Sequence, residues 1–440
     1  MSMITYDRIR IEGAFELQKI LKMQISVLAN THAIATIEGV YKNIEELLRW
    51  QISGEMQEVK IWIEGENSPL FCGILKETEC NCEAGYYTVK LAVVSFTILL
   101  DREKVSASYQ DVAMTYEEVA KAVINSSEKA SCICTAGSDV KIQKPLIQYA
   151  ETDWMFLKRL ASHVQTVLYP AENQSYPALW LGKPEGRQTE LIAKEYRHGV
   201  NSRFYELGGK QSGFQPKDFE YYIVETSENL AIGTEVICNG ALWYVWEKRA
   251  ELRKSELKFT YTLGKAQFMI QQKSFHPAFA GMSILGKVLS TGGETVKLHL
   301  DIDKTQDEKT AYPYVYAPDT GSVMYCMPKV GTTVSLYFSN EDETSARAIN
   351  CIRENGSICN AMSNPNNRAL NTEHGKQMFL NTDSMGFDIE DKGHAIHMED
   401  EIGIDFFSGK KVSIVAGAGL KLKGKKVSLE TTQQMSMVRK

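Results

Sequence analysis

Residues 375–432 read GKQMFLNTDSMGFDIEDKGHAIHMEDEIGIDFFSGKKVSIVAGAGLKLKGKKVSLETT, and the spacing inside this stretch decides the fold. Apolar–x–apolar pairs recur: Met378 with Leu380, Phe387 with Ile389, Ile396 with Met398, Ile404 with Phe406, Val412 with Ile414, Leu420 with Leu422 and Val427 with Leu429. Their first members step by 9, 9, 8, 8, 8 and 7 residues, with glycines mostly between them. Such a pair is a short strand showing one face to a core, because side chains alternate with period two. Strands this short do not make a stable sheet alone. Stacked at a fixed step, with glycines at the corners, they form a solenoid or a multi-chain β-prism. One chain offers only two apolar residues per strand, too thin a stripe for a private core. The expectation is a trimeric β-helix or prism over 375–432, those pairs forming its core and trimer interface, followed by a tail at 433–440.

Outward from this stretch the chain reads as globular protein. Its 440 residues allow two to four domains, and 43% apolar with 10% aromatic residues suffice for packed cores. A net charge of −6 supplies no basic field for nucleic acid. The start, MSMITYDRIRIEG, carries charge and no apolar run, so it does not read as a secretory signal. The longest apolar stretch, near Leu91–Leu100, is too short to span a bilayer. The chain is therefore expected to be made in the cytoplasm.

Upstream, residues 1–275 read as a mainly β region with two helices, near 115–127 and 153–169. Thr115-Tyr116-Glu117-Glu118 is a capping box, and Val119, Ala120, Val123 and Ile124 share one helical face. Thr152 and Asp153 suit the start of the second helix, whose stripe is Leu157, Leu160, Val164 and Leu168, with Pro170 as the stop. Six short strands between 284 and 355, including one at 323–327, fit a small closed barrel of the OB type. The asparagine-rich stretch 356–374 reads as a linker.

Beside these elements, Gln148-Tyr149-Ala150-Glu151-Thr152-Asp153-Trp154-Met155-Phe156-Leu157-Lys158-Arg159-Leu160-Ala161 resembles a motif of the VgrG spike proteins and their phage baseplate-hub relatives. Leu99-Leu100-Asp101-Arg102 with Ser108-Tyr109-Gln110-Asp111 is similar to a second block of that family, and Pro328, Val330 and Gly331 to a third, in its OB-like domain. The resemblance implies structural roles for Gln148, Tyr149, Glu151, Asp153, Phe156, Arg159, Leu160, Pro328, Val330 and Gly331. It implies two tube-like hub domains per chain, so that a homotrimer adapts a hexameric tube to a threefold, cell-puncturing needle. The implied machines are phage tails, tailocins, type VI secretion systems and extracellular contractile particles. The implied partners are further copies of the chain, the tail-tube protein, baseplate proteins, a PAAR-like tip protein, effector cargo and the target cell envelope. The sequence ends soon after the repeats, so no enzymatic payload is expected on it.

Catalysis leaves no trace of its own. None of the eight histidines stands in a metal-ligand spacing, and no nucleophile elbow or phosphate loop occurs. No catalytic residue, metal or cofactor is expected. Two close pairs, Cys80 with Cys82 and Cys132 with Cys134, are expected to be buried, reduced thiols. His394 shares the parity of Ile396 and Met398, so three copies could meet on the axis and take a metal or an anion. Acidic residues dominate 383–405 and lysines 409–426, which reads as a solvated outer face. Two alternatives stand beside the hub and spike: a trimeric receptor-binding fibre and a carrier for a tail-associated hydrolase.

Overall fold

In the computed structural model of the chain the described residues are 4–13, 17–41, 56–83, 86–125, 129–191, 195–238, 240–318, 326–352, 364–372, 374–389, 392–436 and 438. The chain divides into two compact units, Met1–Arg353 and Glu354–Lys440. It is mainly β, with a few short helices.

The first unit is built on a 12-stranded sheet made of two six-stranded halves. Ile9–Glu12, Lys19–Val27, Ile34–Tyr41, Glu58–Ile63, Phe71–Glu83 and Tyr86–Ser95 form one half. Gln188–Glu190, Tyr196–Val200, Glu220–Thr226, Glu235–Cys238, Ala241–Arg253 and Glu256–Gly264 form the other. Alternation drives these strands: Val59, Ile61 and Ile63 point inward, while Lys60 and Trp62 stay half-exposed. The halves join where Lys19–Val27 pairs antiparallel with Ala241–Arg253, setting Ala250 opposite Ile25. A single hydrophobic cluster spans both halves, so they share one core.

An insert between the halves carries the helices. Helix Tyr116–Ile124 has its capping box: Thr115 Oγ1 accepts from the Glu118 N–H at 3.2 Å, and the Glu118 carboxylate accepts from the Thr115 N–H at 2.8 Å. It ends at Ile124, and the last residues of the expected 115–127 span lie partly outside the described residues. The second helix is Asp153–His163, not the 153–169 that the apolar stripe suggested. Val164 leaves helical angles and Gln165 turns left-handed at φ +54°. Leu168–Pro170 then pairs antiparallel with Ala178–Leu181, a tertiary ladder that overrides the local 3.6-residue period.

The barrel has five strands in the order Pro313–Val315, Thr295–Leu300, Ser283–Gly292, Thr333–Tyr337, Arg347–Ile352. A parallel bridge from Tyr316 to Ala348 brings the first and last strands together. Of the strand expected at 323–327, residues 323–325 lie outside the described residues, and Cys326 and Met327 carry no strand.

The second unit is an antiparallel meander of Arg368–Asn371, Lys376–Leu380, Ser384–Ile389, His394–Glu399 and Gly403–Ser408. Gly375, Gly393 and Gly403, all at positive φ, stand at its turns. Two expectations change here. Residues 368–371, read as linker, form a strand, because they pair antiparallel with Lys376–Leu380 and the Thr372 N–H donates to the Lys376 carbonyl at 2.8 Å; residues 353–363 and 373 lie outside the described residues. The second correction concerns the last three apolar pairs, expected as strands of the prism core. Val412 and Ile414, Leu420 and Leu422, and Val427 and Leu429 carry no strand, since that segment has no ladder partner among the described residues of the chain. All six side chains are exposed in the single chain.

Candidate functional site

Strand Leu146–Thr152 runs straight into helix Asp153–His163, and together they join the insert to the barrel. Neighbouring residues of that strand enter different cores: Leu146 packs in the cluster of the insert, Ile147 in that of the barrel. Thr152 starts the helix by accepting from the Met155 N–H at 3.3 Å. Asp153 is buried in the first turn, where its carboxylate suits the positive helix end and accepts from Gln148 Nε2 at 2.9 Å.

Arg159 is the centre of the junction. Its guanidinium is buried between two carboxylates, Glu151 at 2.9 Å and Glu343 of the barrel, and also donates to the Ile147 carbonyl at 2.8 Å. Phe156 lies 5.0 Å and Phe279 5.9 Å from the charge. Burial opposes that charge, yet Glu343 and Glu151 outweigh it and hold the guanidinium pKa above its ordinary value. An ion group this well paired is costly to break, because a lost partner leaves buried charge behind.

A second set of bonds ties strand Lys104–Tyr109, the antiparallel partner of Leu146–Thr152, and the residues just after it to the barrel. Asp303 accepts from the Ser108 N–H at 2.6 Å and from Ser108 Oγ at 2.5 Å. Gln110, buried, donates to the Leu298 carbonyl and accepts from the Tyr312 N–H, each at 3.2 Å. Tyr149 packs beside Phe279, and its carbonyl accepts from His276 Nε2 at 3.0 Å. Leu160 is buried in the core of the insert. Pro328 is buried, Val330 is exposed, and Gly331 turns at φ +83° so that its N–H reaches the Val288 carbonyl at 2.7 Å.

The meander presents the other candidate surface. Register puts Met378, Phe387, Ile396 and Phe406 directly opposite one another in one row, and Leu380, Met385, Met398 and Ile404 in the next. Ile389 and His394 continue the same face, where Ser408 Oγ lies 3.0 Å from His394 Nδ1. The opposite face carries Asp388, His397 and Asp405, with His397 Nε2 2.6 Å from Asp388. Phe387, Ile404 and Phe406 are 48%, 60% and 68% exposed. The rows stop at Gly403–Ser408. Val412, Ile414, Leu420, Leu422, Val427 and Leu429, expected to extend them, lie beyond the last strand among the described residues and are exposed, Ile414 by 69%, Leu422 by 65% and Leu429 by 62%.

Among the described residues no group of three or more His, Cys, Asp or Glu side chains could hold a metal. One arrangement mimics a catalytic relay: Thr97 Oγ1 lies 2.9 Å from His32 Nδ1, and Asp101 Oδ2 3.4 Å from Nε2. Thr97 is wholly buried and bonds Ser95 at 2.8 Å, so no substrate reaches it. The expectation of buried thiols fails for Cys80 and Cys82, both exposed because the far half of strand Phe71–Glu83 pairs with Tyr86–Ser95 beyond the part that the core covers, and Cys134 is half-exposed. Among the described residues no helix is long and apolar enough to cross a membrane.

No family model and no curated protein matches the sequence. Solved structures do. The E. coli c3393 protein, described as a component of the type VI secretion system with structural similarity to the T4 bacteriophage tail proteins gp27 and gp5, aligns at 14% identity. The alignment covers 78% of this chain and 99% of that one, with a TM-score of 0.57. A chain of the Francisella PdpA-VgrG complex, half-lidded, aligns at 10% identity over 91% of this chain and 88% of that one, with a TM-score of 0.59. This chain shares the fold of the c3393 protein and of that chain of the PdpA-VgrG complex. The motif at 148–161 lies at the junction of the insert and the barrel. Sequence reasoning missed Glu343, which stands 184 residues from Arg159 in an acidic loop that reads as solvated. It also missed Met385, whose place in the second apolar row follows only from register.

Proposed function

We propose that three copies of this chain form the hub and puncturing spike of a contractile injection machine, joining a sixfold tube to a threefold needle. The observation that carries this reading is the meander: two rows of large apolar side chains on one face, half-buried or exposed in the single chain. A face of this kind on a soluble chain marks an interaction surface. Threefold association would cover it with copies of itself and leave the Asp388, His397 and Asp405 face to solvent. The fold likeness to type VI and phage tail components supports the same assignment.

In this reading the chain acts mechanically and turns over no substrate. The hub half meets the tube and baseplate proteins. The far end of the repeats meets a tip protein or cargo and then a cell envelope. Contraction drives the needle, and close packing of a shared β core supplies its stiffness. Co-sedimentation of the purified full chain with polymerised tube protein of its own machine tests the assignment. Saturable binding at tube ends supports it; binding along the whole tube, or none, contradicts it.

A further inference from the structure

We propose that Cys132 and Cys134 form a thiol redox site: the Cys134 sulfur attacks an oxidised low-molecular-weight disulfide, and Cys132 resolves the adduct into an intrachain disulfide. Both lie on the short strand Ser131–Cys134. Two residues apart in a strand, they point to the same side. Their sulfurs are 3.6 Å apart. Cys132 is buried in the core beneath helix Tyr116–Ile124, and Cys134 is half-exposed beside it. One sulfur is therefore open to a small reagent while the other is held next to it and shielded.

The surroundings favour charge on Cys134. The hydrogen bond from Cys132 holds the Cys134 thiol below its ordinary value, and Lys121 on the adjoining helix adds to the effect, against burial and Glu117. The same hydrogen bond, together with burial, pushes the Cys132 thiol up. The thiolate is the nucleophile in exchange, so the two sulfurs have distinct roles. Cys80 and Cys82 share the spacing without this setting: both are exposed, and burial and Cys82 push the Cys80 thiol up.

The backbone permits closure under strain. Residues i and i+2 of a strand stand about 6.6 Å apart at Cα, near the upper limit of about 6.8 Å for a disulfide. Among the described residues the strand is an edge, paired on one side only, in parallel with Ala178–Leu181. Closing the bond needs the strand to bend toward the face that carries the two sulfurs. A strained disulfide is readily reduced again, so the site is reversible and not a structural staple.

The chemistry balances as two exchanges. Cys134 thiolate attacks one sulfur of R–S–S–R, forming a mixed disulfide and releasing R–S⁻. Cys132 gives its proton to solvent, its sulfur attacks the Cys134 sulfur, and the second R–S⁻ leaves. The protein loses two electrons and two protons, and the reagent becomes two thiols.

The test uses the full chain carrying Cys80→Ser and Cys82→Ser, equilibrated in glutathione buffers of rising oxidised fraction, acid-quenched and mapped by peptide mass. The peptide with Cys132 and Cys134 should lose two hydrogens and regain them on reduction. Cys132→Ser should accumulate glutathione on Cys134, and Cys134→Ser should carry none on Cys132. Two free thiols at the highest oxidised fraction, or equal glutathione on Cys132 when Cys134 is absent, overturns the proposal. Timed alkylation of the unaltered chain avoids any folding defect: Cys134 should react about ten-fold faster than Cys132, and equal rates contradict its role.

Discussion

The barrel strand Thr295–Leu300 and the meander strand Gly403–Ser408 are both six residues long, and each sets apolar side chains on one face. Val296, Leu298 and Leu300 are wholly buried, whereas Ile404 and Phe406 are 60% and 68% exposed. The barrel strand is covered by other elements of its own chain. The meander strand belongs to a single layer, and among the described residues nothing of the second unit covers its apolar face. Burying one such side chain is worth about 1.5–3 kcal/mol, so the two rows hold unused stability that only association can release. Alternation tells which face is apolar; it does not tell whose atoms cover it.

Ile404→Asp should break this comparison hardest. In the proposed assembly it sets three carboxylates around one axis, where buried unpaired charge costs several kcal/mol each. The full chain should lose its association or melt roughly 10 °C lower or more. An unchanged melting curve would show that this face stays wet.

Within the first unit, Arg159→Ala should cost about 3–5 kcal/mol, because Glu151 and Glu343 would then face each other buried and unpaired. Chemical denaturation reads it. Adding Glu343→Gln should recover part of the loss, since one buried charge is removed with it. A loss below about 1 kcal/mol would be that of a surface ion pair, which the burial here contradicts.

His163 gives a pH-dependent effect of smaller size. Burial and the nearby Lys273 lower its pKa to about 4 from the ordinary 6.5. The folded state therefore resists a proton that the unfolded state accepts. Its contribution is present above pH 6.5 and is lost as pH falls toward 4, by at most about 3 kcal/mol at 1.36 kcal/mol per pH unit. Solvent access to the half-buried ring reduces that figure. His163→Gln should flatten the stability profile between pH 4 and 6.5; an unaltered slope there would assign the loss to other groups.

Asp405→Ala, on the opposite face from Ile404, should have the least effect, within about 0.5 kcal/mol. If it matched Ile404→Asp, the two faces would have been assigned the wrong way round.

Local signals carried much of the fold. The parity of Ile396 with Met398 and of Ile404 with Phe406 placed them on one face, and the Thr115–Glu118 box marked a helix start. The same parity in Val412 and Ile414, Leu420 and Leu422, and Val427 and Leu429 gave no strands, because a ladder needs a partner that spacing alone does not supply. Other long-range facts were not legible either. Nothing in the strand around Ile25 announces that it pairs with Ala250, which fuses the two halves into one sheet. The stripe Leu157, Leu160, Val164, Leu168 continues past His163, where a tertiary ladder takes the chain away. The motif at 148–161 could be seen, but its partner Glu343 could not, because a carboxylate in an acidic loop looks solvated until the fold brings a guanidinium to it.

Light scattering coupled to size exclusion on the full chain tests the central claim most directly. The account predicts one species of 148.5 kDa, three times the chain mass of 49.5 kDa. A monodisperse species of 49.5 kDa at micromolar concentration would mean that the apolar rows of the meander are not covered by copies of this chain, and would contradict the account.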